Sequence, residues 1–222
     1  MSDPVVDAAA VNAAWYDAVC RAYGLPTRRT ADAWTVARRS PGGYPDAVTL
    51  SREADAAAVL RGVEGGAGCS VKDSFTVLDL ELWGFYMLFE ATWIRSPAGE
   101  AGSATTFDWH EVQTPADLEL WSAGHELDIF RPALLESGDL RFYGTGPTGG
   151  AGFALNRSRD VVGVSNVFIG SADVVSVWPD QIAVAAQTYP GLDLVGYELG
   201  ADLDVAQALG FSSLGPLRVW MR

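Results

Sequence analysis

The closing segment, residues 192–222, reads LDLVGYELGADLDVAQALGFSSLGPLRVWMR, and it constrains the fold more than any other stretch. A β-forming run ends in Tyr197-Glu198. A short helix follows, and Leu209-Gly210-Phe211 stops it. A final strand then carries Leu217, Val219 and Trp220. Gly just past a helix closes it without a Cβ penalty, and apolar alternation marks the strand. Asp202 is expected to be the N-cap of the helix. A strand, a short helix and a strand in succession require a sheet with the helix packed on it.

The preceding residues extend this pattern. VVGVSNVF (161–168) reads as a strand, and WPDQIAVAAQTYPG as a helix with Pro179 in its first turn and Pro190-Gly191 at its end. DLRFYG and AGFALN flank GTGPTGG as a hairpin. Residues Gly144 to Gly149 also fit G-x-G-x-x-G, but a strand follows where a nucleotide-binding turn needs a helix. Thr114-Pro115-Ala116-Asp117 opens a helix bearing Leu118, Trp121 and Leu127, and RPALLES makes a second short one. The second half therefore runs β-β-β-α-β-α-β.

The first half reads differently. Residues 3–23 form a helix, and Thr30 is placed to cap a second one, ADAWTVARR, ended by SPGGYP. Residues 1–45 are thus expected to be an N-terminal helical arm and 46–222 the main domain. In that domain 46–96 is an added strand-helix-hairpin and 97–222 the core. DAVTL is a strand, and Ser51 caps a helix over SREADAAAVLRGV. Cys69 to Leu82 and Phe85 to Arg95 pair as a hairpin about Trp83-Gly84, with both apolar faces covered. The fold class is α/β (α+β): a mixed, mostly antiparallel sheet flanked by helices.

Charge and cysteine usage exclude several functions. The net charge of -13 opposes binding to nucleic acid or an anionic membrane, since both need Lys and Arg to neutralise phosphate. No apolar run approaches the ~20 residues of a membrane span, and the N-terminus lacks the basic start of a signal peptide. Two cysteines, Cys20 and Cys69, give no disulfide framework, so a cytoplasmic location is expected. His110 and His125 are not spaced as metal ligands, and no metal is expected.

Several polar residues are candidates for chemistry. Lys72 is the only lysine among fifteen Lys and Arg, and it sits in a strand with Glu90 as a prospective mate. It is read either as a structural ion pair or as a ligand-binding group. Ser165 and Asn166 interrupt an apolar strand and need partners, from the backbone or from a ligand. Tyr197 and Glu198 end a strand. Glu198 either solvates the turn ELGAD or acts as a base.

The order of elements, with VVGVSNVF, LVGYE and the helix ending Gly210-Phe211, resembles the GNAT superfamily of acyl-CoA-dependent N-acyltransferases. The resemblance is best over 140–222. It implies a gap between the strand 161–168 and the strand ending at Glu198, in which the pantetheine of acetyl-CoA or another acyl-CoA lies. Val167, Phe168 and Ile169 are then the cofactor contacts. Ser165, Asn166, Lys72 and Glu90 are substrate contacts, and Glu198 and Tyr197 act as base and acid. The implied reaction moves an acyl group to a small amine, and the implied assembly is a homodimer in which Leu217, Val219 and Trp220 pair between subunits. The chain departs from the family at two places. The loop 169–175 lacks the Arg/Gln-x-x-Gly-x-Gly/Ala phosphate motif and carries Asp173, and the family's helix tyrosine falls on Ala206. Two readings therefore stand beside acyl transfer: a non-catalytic binding protein with the gap open or plugged by Trp178, and non-CoA chemistry using Lys72 or Glu90.

Overall fold

Asp3 accepts a hydrogen bond from the Val5 amide at 2.9 Å, and Pro4 fills the first helical position, so helix α1 (Pro4–Ala22) begins there. The computed structural model describes residues 3–99, 103–146, 150–170 and 174–222. The chain folds into two compact units: Met1–Trp93 with Leu214–Arg222, and Ile94–Ser213. Among the described residues no helix is long and apolar enough to cross a membrane.

In the first unit α1 buries Val5, Val11, Trp15 and Val19 along one side. The second helix expected in 31–39 is instead a strand. β1 (Thr27–Arg29) pairs antiparallel with β2 (Ala33–Val36), and Thr30 accepts from the Ala33 amide at 3.0 Å to close the turn between them. Trp34, Thr35 and Val36 are β-formers, and burial decides the outcome: Trp34 is fully buried with its indole N–H on Asp17 at 2.9 Å. β3 (Ala47–Thr49) follows antiparallel to β2. Helix α2 (Ala56–Leu60) is shorter than expected and is capped by Asp55, which accepts from Ala58 at 2.9 Å. Ser51 instead donates to Asp32 at 2.7 Å.

The expected hairpin about Trp83-Gly84 does not form. β4 (Ser70–Asp73) pairs parallel with β3 and antiparallel with β11 (Ser212–Met221), which lies between β4 and β5 (Tyr86–Ser96). Gly84, left-handed at φ 78, ends a single 3-10 turn. A strand from the far end of the chain has taken the central place, which local turn chemistry cannot reveal. Leu217, Val219 and Trp220 are buried in this placement. Tyr86, Met87 and Leu88 are exposed, so β5 is not covered along its whole length.

The second unit carries strands in the order β10-β9-β8-β7-β6. They are β6 (Trp109–Glu111), β7 (Leu140–Thr145), β8 (Gly152–Ser158), β9 (Val161–Phe168) and β10 (Asp193–Glu198). β6 to β9 are antiparallel neighbours, as expected for the hairpin and third strand; β10 is parallel to β9. Parallel neighbours need a crossover, supplied by α4 (Val174–Thr188). Its start precedes Pro179, which sits in the helix interior and not in the first turn. Helix α3 (Pro115–His125) is capped by Thr114, and α5 (Gly200–Ala208) joins β10 to β11. Trp178, Phe211, Phe153, Leu194 and Ala206 share one core. The sheets are mixed and mostly antiparallel, with helices packed on them.

Candidate active site

β9 and β10 pair at Val161, Val162 and Gly163 against Asp193, Leu194 and Val195, and the pairing stops there although both strands continue. One level on, Gly196 still lies against Val164: a Cβ there would come within 3.2 Å of the valine side chain. Beyond this the strands part. The cause lies in Ser165-Asn166. Against β8, Ser165 pairs with Ala154 and Phe168 with Gly152, so β9 has an extra residue there. Asn166 takes φ 54, a left-handed conformation that Asn tolerates better than most residues, and its amide donates to the Ser165 hydroxyl at 2.8 Å. A bulge bends its strand and interrupts its pairing.

A cavity of about 320 Å³ opens where the strands part. It lies at the carboxyl ends of the parallel pair, where open sheets commonly bind ligands. β9 supplies Val164, Ser165, Asn166 and Val167, and Ile169 follows them. α4 contributes Trp178, whose ring packs edge-on to Phe211 at 5.3 Å. Tyr197, Glu198 and Asp202 complete the wall. Hollows of about 380 and 740 Å³ beside α3 are larger, but they lie on its side and bring together no comparable break in the sheet.

Glu198 is the titratable centre of this cavity. Burial pushes its carboxyl up to about 7, and the Asp202 carboxylate one helical turn on adds to the shift. A carboxyl near neutrality can accept and return a proton at working pH. Asp202 is not the expected N-cap. Leu199 occupies that position without a side-chain bond, and Asp202 sits in the first turn of α5, exposed at the cavity.

Of the residues singled out from sequence, Ser165, Asn166, Val167, Ile169, Tyr197 and Glu198 meet here. Phe168 does not: its ring packs against Trp121 at 5.2 Å and His125 at 5.8 Å, because successive strand residues face opposite sides. Lys72 and Glu90 do not line this cavity and do not form the expected pair. Lys72 is buried in the first unit, donating to Asn12 at 3.0 Å and Tyr16 at 2.8 Å beneath the Trp93 ring. Glu90 accepts from Arg218 at 2.9 Å. Asp202 was missed as a wall residue, whereas Trp178, expected as a plug of the gap in one reading, stands in its wall. The spacing of Glu198 and Asp202 across a strand end and a first helical turn was the available signal. Ser171, Ala172 and Asp173, where the phosphate motif is missing, lie outside the described residues, as do 147–149 of the glycine-rich turn. A strand, β8, follows that turn.

No protein-family model and no curated protein sequence matches the chain. Solved structures do. It is similar to a GCN5-related N-acetyltransferase from Kribbella flavida, with 14% identity and a TM-score of 0.62 over 96% of this chain and 95% of that one. It is also similar to a putative acetyltransferase from the GNAT family of Novosphingobium aromaticivorans, with 14% identity and a TM-score of 0.56 over 92% and 96%. A functionally unknown conserved protein from Staphylococcus epidermidis matches at 9% identity and a TM-score of 0.53 over 69% and 71%. At these identities the likeness establishes the fold, which is GNAT-like and divergent in sequence.

Proposed function

We propose that this GNAT-like chain transfers an acyl group from a thioester to a small amine in the cavity between β9 and β10. One observation carries the reading: Glu198, Tyr197 and Asn166 converge where the two strands part.

Beyond Gly163 the β10-facing edge of β9 is released from β10, so its backbone groups can bond the amides of a pantetheine arm. Val164, Val167 and Ile169 offer apolar contact beside that edge. These residues fit the arm of acyl-CoA and would hold it. When bound, the cofactor supplies the activated acyl group. Glu198 takes the proton of the incoming amine, which its carboxyl near neutrality suits. The Tyr197 hydroxyl serves as proton donor in place of the helix tyrosine, whose position is filled by the buried Ala206. Asn166, held by Ser165, orients the acceptor.

The test is release of free thiol from acetyl-CoA in the presence of a panel of small primary amines, with Glu198→Gln as control. Amine-dependent release that falls at least about a hundredfold in the variant supports the assignment. No release, with no shift in melting temperature on adding acetyl-CoA, ends it. The second reading is a binding protein without catalysis. Ala206 in the place of the tyrosine and the carboxylates of Glu198 and Asp202 at the cavity favour it. Catalytic turnover sensitive to Glu198→Gln removes that alternative.

A further inference from the structure

We infer that the acyl donor is recognised through its pantetheine arm and not through a polyanionic nucleotide, so thioesters lacking the nucleotide serve this site as well as acyl-CoA does. The inference rests on the acyl-transfer reading above.

The first observation is the distribution of cations. From residue 161 to residue 217, which includes β9, α4, β10 and α5, there is no Lys, Arg or His. These elements wall the cavity. Four arginines elsewhere in the same unit are engaged with carboxylates: Arg95 with Asp193, Arg131 with Asp128, Arg141 with Glu111, and Arg157 with Asp139. Arg159 lies in the turn before Val161, at the other end of β9 from the cavity. Phosphates are commonly met by Arg or Lys, through charge-assisted bonds.

The second observation is the sign of the charge that does face the cavity. Asp180 is buried, accepting bonds from Thr106, Phe107 and the Trp109 indole, and Asp193 is paired with Arg95. Neither is available to a ligand. Glu198 and Asp202 are, and both are acidic. With a net charge of -13, the chain repels a polyanion at long range as well. The amides at the start of α4 remain as phosphate donors, but the sequence just before that start ends in Asp173, a carboxylate that opposes an anion.

The arm has what it needs. It is neutral, amide-rich and partly apolar, matching a released strand edge beside Val164, Val167, Ile169 and Trp178. The chemistry is unchanged by removing the nucleotide. The amine nitrogen bonds to the thioester carbonyl carbon, the C–S bond breaks, the amine proton passes to Glu198, and the thiolate takes a proton from Tyr197 or solvent. The products are an amide and a free thiol.

The experiment compares S-acetylpantetheine with acetyl-CoA by titration calorimetry at ionic strengths of about 0.01 M and about 0.15 M, where screening lengths differ severalfold. The inference expects S-acetylpantetheine to bind at least as tightly at low salt, with an affinity that salt leaves unchanged. It expects acetyl-CoA binding to strengthen up to about tenfold with salt, as repulsion is screened. Asp202→Asn should narrow the gap between the two donors. Binding of acetyl-CoA more than about tenfold tighter than S-acetylpantetheine, or weakening with salt, overturns the inference and leaves acyl transfer standing. Binding of neither donor overturns both.

Discussion

Glu198, at the end of β10, and Asp202, in the first turn of α5, line one cavity, and Asp202 reinforces the burial that holds the Glu198 carboxyl near 7. Because the folded value is raised above the ordinary 4.5, the protonated acid is the form the fold favours. Its contribution to stability is complete below pH 4.5 and is lost as pH rises through about 7. Glu198→Gln should therefore leave the melting temperature unchanged at pH 4 and raise it at pH 8, by no more than about 3 kcal/mol of stability. Thermal denaturation at the two pH values checks this. In the same range kcat/KM for amine acylation should rise through pH 7, and the variant should lose that limb.

The second prediction concerns Asp202 itself. Asp202→Asn removes the neighbouring negative charge but not the burial, which is the larger cause. The Glu198 carboxyl should fall from about 7 yet stay above 4.5. Carbonyl-carbon NMR titration of Glu198 reads this directly, and an unchanged titration would remove the coupling.

Asp180 is a structural clasp. Its carboxylate is buried and accepts from Thr106 at 2.8 Å, Phe107 at 2.9 Å and the Trp109 indole at 2.7 Å, fastening the approach to β6 onto α4. Asp180→Ala leaves these donors without an acceptor and should cost about 3 kcal/mol, with Asp180→Asn milder. Hydrogen exchange at the amides of Thr106 and Phe107 should accelerate in the alanine variant before exchange in β8 does.

Lys72 is predicted to matter for stability and not for turnover. Its ammonium is buried against the Asn12 carbonyl and the Tyr16 hydroxyl. Lys72→Met leaves polar groups of α1 short of a partner and should lower stability by about 2 kcal/mol. Chemical denaturation measures that loss. An acylation rate reduced in the folded variant as much as in Glu198→Gln would instead assign Lys72 to the chemistry.

Gly152 is the tightest point beneath the bulge. A Cβ there would lie 2.4 Å from the Phe168 ring and 2.6 Å from the Trp121 indole nitrogen. Gly152→Ala must displace Phe168, whose neighbours Val167 and Ile169 line the cavity. The expected cost is about 2 kcal/mol, with weaker donor binding in the same variant. Unaltered donor affinity would separate the bulge from the site.

Much of the second unit was legible because its signals are local. Thr114 and Pro115 start α3 as their chemistry dictates, and the β7–β8 hairpin follows from two β-forming runs about a glycine-rich turn. The candidate site was legible in part for the same reason. Ser165-Asn166 interrupts an apolar strand, and Tyr197-Glu198 ends one, so each stood out before its surroundings were known. Trp178 was named as a plug of the gap, but that Asp202 joins them could not be read, since a first-turn Asp has ordinary structural uses.

The first unit was read less well, and Trp34 shows why. Residues 31–39 have the composition of a short helix, but a buried indole bonded to Asp17 and pairing with two neighbouring strands outweigh weak local propensity. β4 and β5 failed as a hairpin because β11, from the other end of the chain, lies between them. The sequence by itself determined the strand-helix-strand close, the Thr114 cap of α3 and the absence of cations over 161–217, all properties of neighbouring residues. The tertiary structure decided which strands meet, where β9 and β10 part, and that Glu198 is half-buried at the cavity that Asp202 also lines. Those depend on contacts between residues distant in the chain, and burial sets the charge state of a carboxyl only once such contacts exclude water.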